Sequence, residues 1–287
     1  MARDTSFDAS NPKWAMDIEK FKPDKESTYS YTCEEDGWML AHNAIRGELA
    51  TYEEALETIL ERLGGEAPSE WEIACMKQFW VSHEVHLQNH HHTEDEIFNP
   101  FLRTRFIYPE KLESDHVVLV QHMEKCAKLT EELSTENKAG VSNLLKAWKE
   151  YRATMEPHLR EEEMIGIPLM HKYFEHAEVG AIIQKMLSRP DYPKEDLGAF
   201  IHYQGAENFR NKFMAQEGIP FFVWYIDFGP KYDYYVKQVV TPIDALKSGS
   251  PPPEPEISSL GSLGMLLGLC GIVAVPLGAF LIKRSGE

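Results

Sequence analysis

The stretch NHHHTEDEIFNPFL, Asn89 to Leu102, decides how the chain is to be read. Three histidines run into Glu94, Asp95 and Glu96, after which the line turns apolar and meets Pro100. A second stretch, PHLREEEMIGIPLM from Pro157 to Met170, repeats the layout. From His90, acids fall at plus four (Glu94) and plus five (Asp95), and proline at plus ten (Pro100); from His158 the same offsets give Glu162, Glu163 and Pro168. A pattern that recurs within one chain is not an accident of composition.

A spacing of four puts a histidine and a glutamate about 40° apart on one helix face, one turn along. The stripe of His90 and Glu94 continues through Phe79, Leu87, Ile97 and Phe101, and that of His158 and Glu162 through Leu144, Tyr151, Ile165 and Leu169. The ionisable groups therefore share the apolar, core-facing side, where an unpaired carboxylate costs several kcal/mol and a bound cation removes that cost.

Around these two stretches the hydrophobic period is helical from roughly Glu35 to Glu178, and turn signals divide it into four segments. The first runs from about Gly37 to Leu63 and stops at GGEAPSE; the second starts at Ser69, a candidate N-cap, and reaches Asn99 and Pro100. The third follows Pro109 and ends near STENKAG, and the fourth begins after Gly140 and reaches Pro168 or somewhat beyond. Four helices with short connections predict an all-α fold, an antiparallel up-down-up-down four-helix bundle over residues 36–178.

The first and third helices each bring one histidine to the matching face. His42 shares a stripe with Trp38, Arg46 and Leu49, and His116 with Leu112, Val120 and Met123. Taken singly, each histidine is explained as a packing residue and one HxxxE as a surface pair. The repeat, together with an inward histidine from each remaining helix, points instead to metal; imidazole with carboxylate suits iron, manganese or zinc, and a bundle interior suits two ions bridged by carboxylates. His92 points opposite His90, and His122, His171, His176 and His202 lack partners at ligand spacing, so they read as surface or packing residues.

This constellation resembles the hemerythrin-like, or HHE cation-binding, family over residues 36 to 176: His42 followed by NAIR, the HHHTEDEIFNPF segment, His116 in SDHVVL, and HLREEEMIGIPL. The resemblance implies a non-haem di-iron centre, oxo- or hydroxo-bridged, with His42, His90, His116 and His158 as terminal ligands and Glu94 and Glu162 bridging. Oxygen-carrying members have a further histidine one turn after the third-helix ligand, and that place is Val120 here. Water, Glu113, His86 or His91 are the candidates to fill it.

The rest of the chain sets the context. With 46 acidic against 29 basic residues, a net charge of -17 and no Lys/Arg cluster, nucleic acid is an unsuitable partner. Cys33, Cys75, Cys126 and Cys270 stand far apart and form neither a disulfide framework nor a thiolate zinc site. Residues 1–35 read as a polar leader without a secretory signal, and residues 179–247 as an aromatic-rich helical extension, expected to pack over the bundle rather than form a membrane-interface belt. A Pro-rich linker, 248–259, precedes LGSLGMLLGLCGIVAVPLGAFLI, 260–282, which is free of charge and followed by KRSGE. A helix of that length rises about 34 Å, enough to cross roughly 30 Å of hydrocarbon. A single-pass C-terminal anchor is therefore expected, with the globular part in the cytosol and Gly264 and Gly268 available for a homodimer contact. The function expected is binding of dioxygen or a related small ligand, or sensing of iron or redox state. The alternatives are a di-iron enzyme that reduces peroxide or activates oxygen, and a membrane-tethered structural scaffold.

Overall fold

The computed structural model describes residues 28–253 apart from 188 and 190, and among these every extended regular element is helical. Four long helices dominate: α1 (Gly37–Leu63), α2 (Glu70–Thr93), α3 (Glu110–Glu131) and α4 (Gly140–Tyr173). Shorter ones follow: α5 (His176–Leu187), α6 (Lys194–Gln204), α7 (Gly229–Tyr235) and α8 (Thr241–Ser248). Their ends follow local chemistry. The Asp36 carboxylate accepts the Trp38 amide at 2.8 Å and opens α1, and Gly64, at φ 57°, closes it. Ser69 caps α2 while Glu72 reaches back to the Ser69 amide at 2.7 Å. Beyond Thr93 the α2 backbone widens into a π-helical turn, Glu94–Phe98, before one last turn, Asn99–Leu102. Inside α4, Pro157 and Pro168 each remove a backbone donor, yet the buried Ile165, Ile167, Leu169 and Met170 hold the turns that proline weakens.

Side-chain pairings fix the direction of each neighbour. Along α1 and α4, His42 meets Glu163 at one end, while Glu53 meets Arg152 and Glu57 meets Lys149 at the other. Likewise Arg62 pairs with Glu72 and His42 faces His90; Lys77 reaches the Glu131 carbonyl and His91 faces His116; Lys111 pairs with Glu161 and Lys125 with Glu150. Adjacent long helices therefore run in opposite directions around a shared interior. Half of that interior is aromatic and aliphatic: Tyr52 stacks on Phe79 at 4.1 Å and meets Trp148 edge-on at 4.9 Å, all three buried. The other half holds the histidines and glutamates.

The extension packs over the groove between α1 and α2. Tyr235 of α7 reaches Glu48 of α1 at 2.7 Å, Asp196 of α6 accepts from Asn89 of α2 at 2.6 Å, and the Leu246 carbonyl of α8 accepts from Arg62. Of the residues read as a leader, Tyr29 stacks on His171 at 3.8 Å. The described residues as far as Pro252 belong to one compact unit. No described helix is long and apolar enough to cross a membrane; the segment read as an anchor, 260–282, with Gly264 and Gly268, lies outside the described residues.

One close approach positions the site. A Cβ on Gly166 would lie 2.5 Å from the Trp38 ring, so α1 and α4 meet there only because Gly166 has no side chain. Gly166→Ala is expected to cost about 1–3 kcal/mol by overpacking, read as a lowered urea midpoint.

Candidate metal centre

The repeated HxxxE stretches meet in the interior with both carboxylates spread between two groups of imidazoles. His42, His90, Glu94 and Glu162 form one group with ligand atoms within 4.8 Å of one another, and His91, His116 and His158 form another. Glu94 Oε1 lies 3.6 Å from His42 Nε2 and 3.3 Å from His90 Nε2, while its Oε2 lies 3.5 Å from His116 Nε2. Glu162 divides in the same way: Oε2 is 3.5 Å from His42 Nε2, and Oε1 is 3.4 Å from His158 Nε2 and 3.8 Å from His116 Nε2. Each glutamate thus offers one oxygen to each group, the arrangement that two bridged cations require.

The donor set fits such ions. Nε2 of His42, His90, His91, His116 and His158, Oε2 of Glu94 and both carboxylate oxygens of Glu162 are buried without a hydrogen-bond partner. An unmet buried polar atom costs about 1–3 kcal/mol, so side chains that converge in this way form groups that could hold metal ions. Imidazole and carboxylate donors at this spacing suit a first-row transition metal. Trp38 holds the arrangement from one side, its indole N–H donating to Glu94 Oε1 at 3.0 Å.

His91 joins His116 and His158 in the second group, and Val120, expected on the same inward stripe as His116, does not border the cluster. Val120 is 43% exposed, because α3 turns Leu112, His116, Leu119 and Met123 inward and position 120 toward solvent. Glu113 is drawn to Arg103 at 2.6 Å and His86 to Glu48 at 2.9 Å, which leaves neither for the centre. His91 stacks on His116 with ring centroids 4.3 Å apart. Neighbouring residues on a helix diverge by about 100°, and a two-ion centre is wide enough for His90 to face one group and His91 the other.

The acids at plus five, which recur in both stretches, act on histidines of other helices. Asp95 of the first stretch lies 3.0 Å from Nδ1 of His116 on α3, and Glu163 of the second lies 3.0 Å from Nδ1 of His42 on α1. Each carboxylate accepts the Nδ1–H of a histidine on another helix and leaves Nε2 bare for metal. Arg46 in turn holds Glu163 at 2.6 Å. Asp95→Asn and Glu163→Gln are each expected to weaken metal binding about 10- to 100-fold while leaving the helical content unchanged, as titration calorimetry and circular dichroism would show.

Electrostatics in the metal-free fold follow from burial and mutual charge. Burial opposes charge on His42, but Glu163, Glu94 and Glu162 outweigh it and raise the imidazole to about 9. His116 rises to about 9 against the same burial, through Glu162, Glu94 and Asp95. Burial pushes His91 down to about 3 and His158 to about 4, and burial with the adjacent Glu94 pushes Glu162 up to about 7. A metal needs bare Nε2, so uptake displaces the protons of His42 and His116. Between about pH 7 and 9 the apparent association constant is expected to fall roughly 100-fold per pH unit, the slope for two protons, and more steeply below about 7, where Glu162 also takes up a proton. The metal-free fold responds the other way: raised imidazoles stabilise it fully below their unfolded value near 6.5, and that contribution is lost as pH rises through about 9. Thermal melts with and without metal between pH 6 and 9 would show the two trends crossing.

A second buried polar cluster was not singled out in the sequence. Glu48 Oε2 accepts from Nδ1 of His83 at 2.7 Å and of His86 at 2.9 Å, and Oε1 accepts from the Tyr235 hydroxyl at 2.7 Å. His83 Nε2 lies 3.3 Å from the Tyr151 hydroxyl. This carboxylate is fully paired, in contrast to Glu94 and Glu162. It fastens the extension to the floor of the site.

No family model, curated protein or solved structure matches the chain.

Proposed function

We propose that the chain is a hemerythrin-like di-iron protein: an antiparallel four-helix bundle that binds dioxygen or a related small ligand, or reports iron and redox state. The observation that carries this reading is the convergence of five buried imidazole Nε2 atoms and two carboxylates that each reach both groups, where Trp38, on Glu94 Oε1, is the hydrogen-bond partner of one of these atoms and the others have none among the described residues. Counting donors, the group of His91, His116 and His158 with one oxygen from each glutamate offers five, and the group of His42 and His90 offers four. Six-coordinate ions would be left with an open place, mainly on the His42 and His90 side. Iron bound there supplies a position for a small ligand; the protein's own residues fix the imidazoles through Asp95 and Glu163, orient Glu94 through Trp38, and enclose the centre in apolar packing. His42, His90, Glu94, His91, His116, His158 and Glu162 are the proposed ligands. The charge-free segment 260–282 is proposed to tether this domain to a membrane, with the domain in the cytosol.

Elemental analysis after anaerobic loading with ferrous iron tests the reading. Two irons per chain, with an absorption band of a carboxylate-bridged ferric pair appearing on exposure to oxygen, are expected. A chain that retains one ion, or only zinc without that band, would remove the di-iron assignment.

A further inference from the structure

Tyr108 is a buried phenol that the protein leaves unanswered. It stands two residues before α3, is 2% exposed, and its hydroxyl has no hydrogen-bond partner among the described residues. Buried hydroxyls are normally paired, and an unmet one costs free energy that phenylalanine in the same place would not. The side chain is firmly placed. Pro109 restricts the Tyr108 backbone to extended forms, and the ring lies in the cluster of Trp38, Phe98, Leu102, Phe106, Leu112 and Ile165.

That cluster adjoins the metal centre. Trp38, Phe98 and Ile165 stand about one turn from His42, Glu94 and Glu162 on their own helices. The Trp38 ring lies 6.0 Å from that of His42 and 6.5 Å from that of Tyr108, and its N–H is engaged by Glu94 Oε1. The Tyr108 hydroxyl is a second donor, not engaged. After burial, the charges of Glu162 and Glu94 are the largest causes that hold this phenol well above its ordinary range. Both carboxylates therefore lie within electrostatic reach, and the proton stays on the oxygen.

We propose that the Tyr108 hydroxyl donates a hydrogen bond to the small ligand taken up at the open place beside His42 and His90, and so selects ligands that carry or gain negative charge. The inference rests on reading the centre as di-iron. A donor fixed in an apolar enclosure is effective because no water competes for it, and an anion with a lone pair at its outer atom is what it would hold best. The unmet hydroxyl of the free protein then has a physical reason. It is a local cost at a functional site, offset when the ligand arrives. Tyr108 acts as a positioning residue, since its donor meets the ligand and leaves the iron to the imidazoles and carboxylates.

The test is Tyr108→Phe in the full chain, loaded with iron and oxidised, with azide as the probe. Three results are expected together: two irons per chain as in the parent, an azide Kd raised about 10-fold mainly through faster release, and a metal-free urea midpoint at or above that of the parent. A hydroxyl that served packing alone would do the opposite. Its loss would lower the metal-free midpoint and leave azide binding unchanged, and either of these results overturns the proposal while the di-iron reading stands. Loss of iron from the variant, or of a visible band that the azide-free ferric parent shows, would place the phenolate on iron itself and overturn the donor role. A parent chain that holds no iron pair removes the di-iron reading and this inference with it.

Discussion

Glu94→Ala is expected to release both ions from the loaded protein, whereas His91→Ala releases one. The asymmetry follows from where each residue points. Glu94 gives Oε1 to the His42 and His90 group and Oε2 to His116, so its removal takes a donor from both positions and the bridge between them. His91 belongs to one group only, with His116 and His158. Loss of a direct donor should exceed the roughly 10- to 100-fold penalty of an outer partner, placing the second ion out of reach of ordinary metal concentrations. Elemental analysis would read two, one and no ions per chain for the parent, His91→Ala and Glu94→Ala, with circular dichroism confirming that the helices persist. If His91→Ala kept two ions, the fifth donor would have to come from elsewhere.

His91 also shows what the sequence could and could not convey. The spacing of His90 to Glu94 and of His158 to Glu162 is an intrahelical quantity, and helix geometry alone places both pairs on the inner face. The rotation of α3 is a matter of how its whole apolar face settles, and a histidine count one turn beyond His116 cannot register that Leu119 rather than Val120 turns inward. The plus-five acids were visible as a repeat but lacked a purpose until α3 and α1 were placed beside them, because Asp95 and Glu163 act on histidines of other helices.

The extension was legible only as helix-compatible. Its many aromatic residues carry no period that states a docking face, and both an inward and an outward surface turned out to be built from them: Tyr235 reaches Glu48, while Phe221 and Tyr225 face water. Glu48, by contrast, left a signal. It stands among Ile45, Leu49 and Tyr52 on the buried stripe of α1, as His83 and His86 stand among Phe79, Leu87 and His90 on α2. A carboxylate on an apolar stripe needs a partner, and Glu48 finds its own in hydrogen bonds from His83, His86 and Tyr235, whereas Glu94 and Glu162 stand in a group that could hold a metal ion.

That difference sets the second large effect. Glu48→Ala is expected to destabilise the metal-free protein by about 3–5 kcal/mol, because it strands the donors of His83, His86 and Tyr235 in a site with no solvent access. Tyr235→Phe removes one of these bonds and should cost about 1 kcal/mol. The two residues share a hydrogen bond, so the double variant should fall short of the sum. Burial works against ionisation of Glu48, but His86 and His83 hold its carboxyl well below the usual range. A depressed acid stabilises the fold above its unfolded value near 4.3 and loses that contribution as pH falls toward the folded value. Glu48→Ala should therefore lose more at pH 7 than under strongly acid conditions. Urea midpoints at neutral and acid pH give the energies, and amide exchange over α7 gives the location: protection there should fall first, since Tyr235 is the residue by which α7 is bonded to Glu48. A loss under about 1 kcal/mol at neutral pH, or unchanged exchange over α7, would show that apolar packing alone holds the extension in place.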